Sequence, residues 1–332
     1  MDLVYYIKKI YDEYLLNKLY NGSITEKIIT IHDVLPSENS ISYFDEKIYY
    51  QIKQEIKNVN VKSYTYSDTE IELYLCNDII DKRWESYMFF YSNFLLYLLN
   101  RFNPQKRKLK LILINYKGEK TLPENNAHLT PYNVNSGVTS SLNGNGVVIV
   151  YRHEEMIKVL THELVHFFEM DQKHISSKDE QFLNEYFKIE CKSININESF
   201  VDSLACLINI IMYTILSNPK DIKKAFKKNL MTEVKFIVNQ GAKVLKYLRF
   251  KEGAKTCEKT HVTSYYVIKS LIYMNIHKFM MYLKVYGYML KDVHKYIELL
   301  NFEDLKIILK MEIKKGNTMK MSSLNIYELN AK

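Results

Sequence analysis

His162-Glu163-Leu164-Val165-His166 sets two imidazoles four residues apart, with a carboxylate directly after the first. On an α-helix, residues i and i+4 share a face one turn apart, so both rings can reach a single ion. Glu163 points to the flank, where it can hold a water bound to that ion. Zinc suits this set, because it takes neutral histidine nitrogen and carboxylate oxygen in tetrahedral geometry and keeps one position for water. Met156, Val159, Leu160, Leu164, Phe167 and Phe168 give residues 154–171 an apolar helical stripe. The strand-like Val147-Val148-Ile149-Val150-Tyr151 precedes it. The alternative is a core helix whose two histidines hydrogen-bond locally.

Zinc needs a third protein ligand. A glycine three residues and a histidine six residues after the second histidine would extend the pattern, but those positions hold Glu169 and Gln172. His174 has no spacing rule behind it. Downstream, Asn197-Glu198-Ser199-Phe200-Val201-Asp202 opens a long apolar run through Leu204, Leu207, Ile208 and Ile211. Glu198 and Asp202 are again one turn apart. A carboxylate pair opening an apolar helix is unfavourable unless something offsets the charge, and a dication with its histidines would do so. In that reading Glu198 binds the metal, and Asp202 accepts the free ring N–H of a ligand histidine and fixes its tautomer.

Together, His162-Glu163-x-x-His166 and Asn197-Glu198-x-x-x-Asp202 resemble the gluzincin zinc metallopeptidases, the group typified by thermolysin. The resemblance runs over residues 129–207, roughly a quarter of the chain. It implies one zinc ion on His162, His166 and Glu198, with Glu163 as general base and Asp202 orienting His162. It implies a zincin-like core, a small mixed sheet with an active-site helix. The gap between the motifs holds an added helical segment, residues 178–192, longer than in compact members of the group. Glu185 within it lies nearer the usual distance, but Ile189 stands where the aspartate belongs. In this group an edge strand above the metal helix pairs with the substrate backbone, a case of β-augmentation. By position that strand carries Gly137, Val138, Thr139 and Ser140, an ordinary hairpin being the alternative. The oxyanion of the tetrahedral state needs a donor besides zinc, a His or Tyr in this group. His261, Tyr265 and Tyr266 are the candidates, with Tyr186 and Tyr132 behind them. The reaction expected from the resemblance is hydrolysis of a peptide bond in a peptide or protein substrate.

Two other functions stay open: a zincin-like scaffold without turnover, and a basic protein that binds nucleic acid. Retention of Glu163 argues against the first, since structural zinc does not need that carboxylate. The net charge of +8 is spread over clusters such as Lys106-Arg107-Lys108, Lys223-Lys224 with Lys227-Lys228, and Lys314-Lys315. No nucleic-acid motif accompanies them, so they read as solvated faces and nucleic acid is not an expected partner. Peptide deformylases share His-Glu-x-x-His but place a cysteine ligand in a Gly-Cys context, and Cys76 follows Leu75 here.

The elements that position these residues can be read from periodicity and turn residues. Helices are expected over residues 2–20, 45–57 and 81–102, a short strand over 28–31, and a strand or hairpin over 63–75. A strand is expected over 109–115. A hairpin of 137–142 with 147–151 turns at Asn143-Gly144-Asn145-Gly146. From there the chain reads as helices over 178–192, 197–216, 221–250, 263–286, 290–299 and 302–311, with a loose polar tail from 314. The expected class is α+β. An N-terminal α+β subdomain, residues 1–174, carries the hairpin and the metal helix. A mostly helical C-terminal subdomain, residues 175–332, carries the third ligand, with the cleft between them. No sign of oligomeric state is apparent.

At 332 residues with 47% hydrophobic and 25% charged content, the composition is that of a soluble globular protein. The 28 Tyr against 9 Gly and 5 Pro match translation of an AT-rich genome, that of a large DNA virus or an AT-rich microbe. Cys76, Cys191, Cys206 and Cys257 stand apart with no Cys-x-x-Cys pair, which reads as reduced thiols in a reducing compartment. The N-terminus lacks a secretory layout. The best apolar stretches, 88–99 and 204–216, read as too short to span a bilayer. A cytoplasmic protein without a membrane partner is expected, in host cytoplasm or virion if the source is viral.

Overall fold

The computed structural model describes residues 3–17, 21–35, 45–66, 69–79, 81–104, 108–123, 128–142, 145–171, 174–190, 193–250, 253, 260–313 and 316–329. The N-terminal part supplies α1 (Leu3–Asn17), β1 (Asn21–Ile29), α2 (Glu46–Glu55), β2 (Asn58–Tyr66), β3 (Thr69–Asn77), α3 (Lys82–Phe102) and β4 (Leu109–Ile114). It continues through the short α4 (Pro131–Val134), β5 (Gly137–Leu142), β6 (Asn145–Val150) and α5 (Met156–Phe167). The six strands form one mixed sheet in the order β1-β2-β3-β4-β6-β5. β3, β4 and β6 run parallel, while β1, β2 and β5 join antiparallel.

Both faces of the parallel strands are covered, which is why β4 is apolar at every position but Lys110. Leu111 and Leu113 face the main core under α3 and α5. Ile112 and Ile114 face a smaller cluster in which Ile48, Tyr49 and Ile52 of α2 pack. β3 splits in the same way, with Leu73 and Leu75 to one side and Tyr74 and Cys76 to the other. The period of two along each strand sets this partition.

After α5 come α6 (Ser177–Phe187), α7 (Ile196–Leu216), α8 (Ile222–Tyr247), a π-helix (Thr263–Ile268), α9 (Lys269–Met274) and α10 (Ile276–Tyr286). The short α11 (Val293–Ile297), α12 (Glu303–Lys310) and α13 (Ile326–Leu329) complete the chain. The main core is continuous across residue 174, taking Val4 and Ile7 of α1 together with Leu204 of α7 and Val244 of α8. α7 is, by length and composition, apolar enough to cross a bilayer, longer than the stretch read from the sequence, and it lies buried inside the protein.

The structure departs from the sequence expectations at three places. The expected short strand at 28–31 is β1, which begins at Asn21 and exists through its pairing with β2, a long-range partner invisible to local periodicity. The expected helix over 263–286 is broken at Asn275, whose side chain donates to Asp304 at 2.6 Å. The tail is not loose where it is described. Residues 317–325 run as a strap between the two halves, with Met319 and Met321 buried. Thr318 bridges Thr121, and Met319 N donates to the Lys120 carbonyl at 2.9 Å. Cys76 and Cys206 are buried free thiols. Cys191, Cys257, Lys106, Arg107, Lys314 and Lys315 lie outside the described residues.

Candidate metal centre

α5 is buried on nearly every side, so its polar residues must find partners inside the protein. His162 and His166 turn toward the first turn of α7, where Glu198 sits. Asn195 caps that helix by accepting from Asn197 N at 3.2 Å, and the positive end of the helix favours a carboxylate there. The Nε2 atoms of His162 and His166 are 3.3 Å apart. Glu198 Oε2 lies 3.4 Å from the first and 3.5 Å from the second. Tetrahedral zinc, with bonds of roughly 2.0–2.1 Å, sets neighbouring ligand atoms about 3.3–3.4 Å apart. The three donors therefore fit one such ion. Two imidazoles and one carboxylate are also the donor set of a catalytic rather than a fully closed zinc site.

Each imidazole is oriented from behind. His162 Nδ1 faces Asp202 Oδ1 at 3.2 Å, and His166 Nδ1 faces Asp171 Oδ2 at 2.8 Å. Asp171 went unread in the sequence. It arrives because Glu169 adopts a left-handed backbone, φ 53°, and turns the chain back under the end of α5. A non-glycine residue there gives no composition signal, although a carboxylate just past a helix bearing a metal-type histidine is a usable one. Asp171→Ala should weaken zinc binding about 10–100-fold, measured by competition with a chelator.

In this triangle the imidazoles and carboxylates stabilise one another's charged forms. Burial alone would lower the His162 pKa, but hydrogen bonds to Asp202 and Glu198 outweigh it and hold the ring above its usual 6.5. Burial acts the same way on His166, where the charge of Glu198 and the bonds to Asp171 and Glu198 carry it well above 6.5. Partial burial of Glu198 by itself raises its pKa, yet the two imidazoles hold it well below the carboxylate range. A metal ion entering this triangle competes with protons for the same atoms.

Glu163 points to the side of the triangle, against β5 at the end of the sheet. Burial pushes its pKa up, while both imidazoles and the Thr139 hydroxyl pull it back down. Thr139 Oγ1 lies 2.7 Å from Glu163 Oε2. Gly137 is required by close approach: a Cβ there would stand 2.6 Å from Glu163 Oε1 and 2.9 Å from Val159 Cγ1. Gly137→Ala should cost about 1–3 kcal/mol in thermal unfolding by overpacking. It should also displace Glu163, lowering any turnover that uses this carboxylate, as a rate assay would read.

Of the residues expected to bind substrate, Gly137 and Thr139 face Glu163, and Ser140 is exposed at the rim. Val138 also lines the cleft and packs against the smaller cluster on the far face of the sheet. Tyr265 and His261 line the same cleft, a space of about 340 Å³. The Tyr265 hydroxyl donates to Glu198 Oε2 at 3.0 Å, and the His261 ring sits edge-on to it with centroids 6.2 Å apart. The π-helix sets this placement, with Ser264 Oγ tying it to the Asn195 carbonyl at 2.7 Å. π segments of this kind recur at functional sites. Tyr266 is a correction. One residue further round the same helix, it points away from the cleft and donates to the Met319 carbonyl at 2.5 Å. Tyr186 also lies elsewhere, donating to the Phe302 carbonyl. Glu185 lines a separate groove of about 740 Å³ along α6 that contains neither imidazole, and His174 is exposed.

Two buried lysines at the centre were also unread. Lys158, one turn before His162, contacts Asp202 Oδ1, and Lys269 of α9 lies 2.6 Å from Asp202 Oδ2. Burial raises the Asp202 pKa and the two ammonium groups overcome this, holding it well below its ordinary value. A lone lysine within each apolar stripe was the available signal.

No family model matches the chain, and no solved structure matches it. Among curated proteins, an uncharacterised protein of Acanthamoeba polyphaga mimivirus is 26% identical over 102 residues, covering 30% of this chain. The match spans about a quarter of that viral protein's length, 26%.

Proposed function

We propose that the chain is a zinc metallopeptidase of the gluzincin type with a zincin-like core, which hydrolyses peptide bonds in a peptide or protein substrate. The observation that carries this reading is the triangle of His162, His166 and Glu198 donor atoms, 3.3 to 3.5 Å on a side, with Glu163 beside it. Zinc held there would bring the pKa of a water to about 7 and polarise a carbonyl.

Glu163 takes the proton of the attacking water and passes it to the leaving amine, a transfer for which a buried carboxylate with a raised pKa is suited. Thr139 holds Glu163 in place, and the side-chain-free Gly137 lets the strand come close enough for it to do so. The edge of β5 offers its backbone to an extended substrate, whose side chains then enter the cleft. Tyr265, whose pKa burial and Glu198 hold well above 10, keeps its proton and turns that one donor from Glu198 Oε2 to the developing oxyanion. His261 supports that ring from behind. The buried thiols of Cys76 and Cys206 accord with a reducing, cytoplasmic location.

The test is to incubate the zinc-loaded protein with a peptide library drawn from a proteome and sequence the new termini, with Glu163→Gln in parallel. New termini that require Glu163 support the peptidase reading. Bound zinc with no new termini in either sample leaves an inert zinc scaffold and ends it.

A further inference from the structure

Asp202 lies between two ammonium groups in the interior. Lys158 reaches Oδ1, the atom that also faces His162 Nδ1, and Lys269 reaches Oδ2 at 2.6 Å. Asp202 is fully buried, and the lysines are 2% and 1% exposed. The strap fixes both lysines through one residue. The Met321 carbonyl accepts from Lys269 at 2.9 Å, and the Met321 sulfur is 3.5 Å from Lys158 Nζ. Orienting an imidazole requires one acceptor atom, and a bare aspartate supplies it. Two buried cations against one anion exceed that requirement, and burying lysines is unfavourable unless they are paired.

We infer that Lys158 and Lys269 are positioning residues of the metal centre that cancel the charge of Asp202 while fixing both its oxygens. Asp202 then orients His162 as a hydrogen-bond acceptor without adding a full negative charge behind the ion. This rests on the zinc reading above. Its consequence is a metal held less tightly, and left more electrophilic, than an unscreened aspartate would make it.

Removing one lysine has two opposing effects. It loosens an outer contact of a kind worth about 10–100-fold in metal affinity. It also leaves a doubly charged ion one imidazole away from a less compensated anion, in an interior where salt screens little. The second effect wins, because the remaining lysine still anchors Asp202. A merely structural lysine could not act this way, since its loss would leave zinc affinity unchanged or lower it.

The experiment measures zinc affinity of the full chain by competition with a chromophoric chelator, alongside thermal melts of the metal-free proteins. Wild type is compared with Lys269→Met, Lys158→Met and the charge-preserving Lys269→Arg. The methionine variants are expected to bind zinc about tenfold more tightly or better, and Lys269→Arg to stay within about threefold of wild type. Equal or weaker affinity in a folded methionine variant overturns the inference. Failure of both methionine variants to fold overturns it too, because it assigns the lysines to stability alone. Wild type that takes up no zinc removes the zinc reading and this inference with it, a result distinct from either of the others.

Discussion

Replacing Glu163 with Gln should leave zinc bound at wild-type stoichiometry and cut peptide-bond hydrolysis by about 10²–10⁴-fold. Gln is close in shape to Glu, and its carbonyl oxygen can still accept from Thr139, so the strand and helix keep their contact. It offers no basic oxygen for the water's proton, and it has no proton to hand to the leaving amine. The variant therefore separates positioning from proton transfer. Metal analysis of the purified protein reads the first, and sequencing of new peptide termini reads the second. Cleavage by Glu163→Gln at the wild-type rate would remove Glu163 from the role of base.

Glu198→Ala and His162→Ala should each lose the metal itself. Zinc bound by a full set of four protein ligands is worth roughly 10–16 kcal/mol, so one ligand of the set carries about 2.5–4 kcal/mol, or about 10²–10³-fold in affinity. Dialysis against a weak chelator followed by metal analysis should find wild type loaded and both variants empty. The substitutions differ in what they leave behind. Without Glu198, the Tyr265 hydroxyl loses its acceptor. Without His162, Asp202 keeps both lysines. Metal-free melting temperatures should therefore diverge more than zinc contents do. Equal zinc in Glu198→Ala and wild type would take Glu198 out of the ligand set.

The local parts of this centre were legible in the sequence because helical spacing is a local rule. His162 with His166 and Glu198 with Asp202 each sit one turn apart, and a carboxylate pair opening an apolar helix signals a cation nearby. The hairpin was legible from Asn-Gly between strand-like flanks, and the sheet-facing pattern of β4 from its apolar run. What escaped depends on contacts made far along the chain or on backbone shapes without a residue code. Asp171 needs the left-handed turn at Glu169. Tyr265 enters the cleft while Tyr266, the next residue round the same π-helix, leaves it, and periodicity could not say which of the two faced the metal residues. Lys158 and Lys269 went unread because only the fold places them on Asp202. The strap reads as polar because Thr318, Lys320, Ser322 and Ser323 are polar. Its backbone is satisfied by distant buried side chains: Glu155 accepts from Met321 N at 2.7 Å, and Glu233 accepts from Ser323 N at 3.0 Å.

That arrangement also orders events during synthesis. Glu155 and Met321 are separated by 166 residues, and Lys269 and Met321 by 52. Until residues 317–325 are made, Glu155 has Lys120 and Lys269 has Asp202, but the bonds to Glu155 from Met321 N and Ser322 N and the bond from Lys269 to the Met321 carbonyl are missing. The interior between the two halves is complete only once residues 317–325, with Met319 and Met321 buried, lie between them. Long-range closure of this kind slows folding, and here completion of the interior waits for residues 317–325.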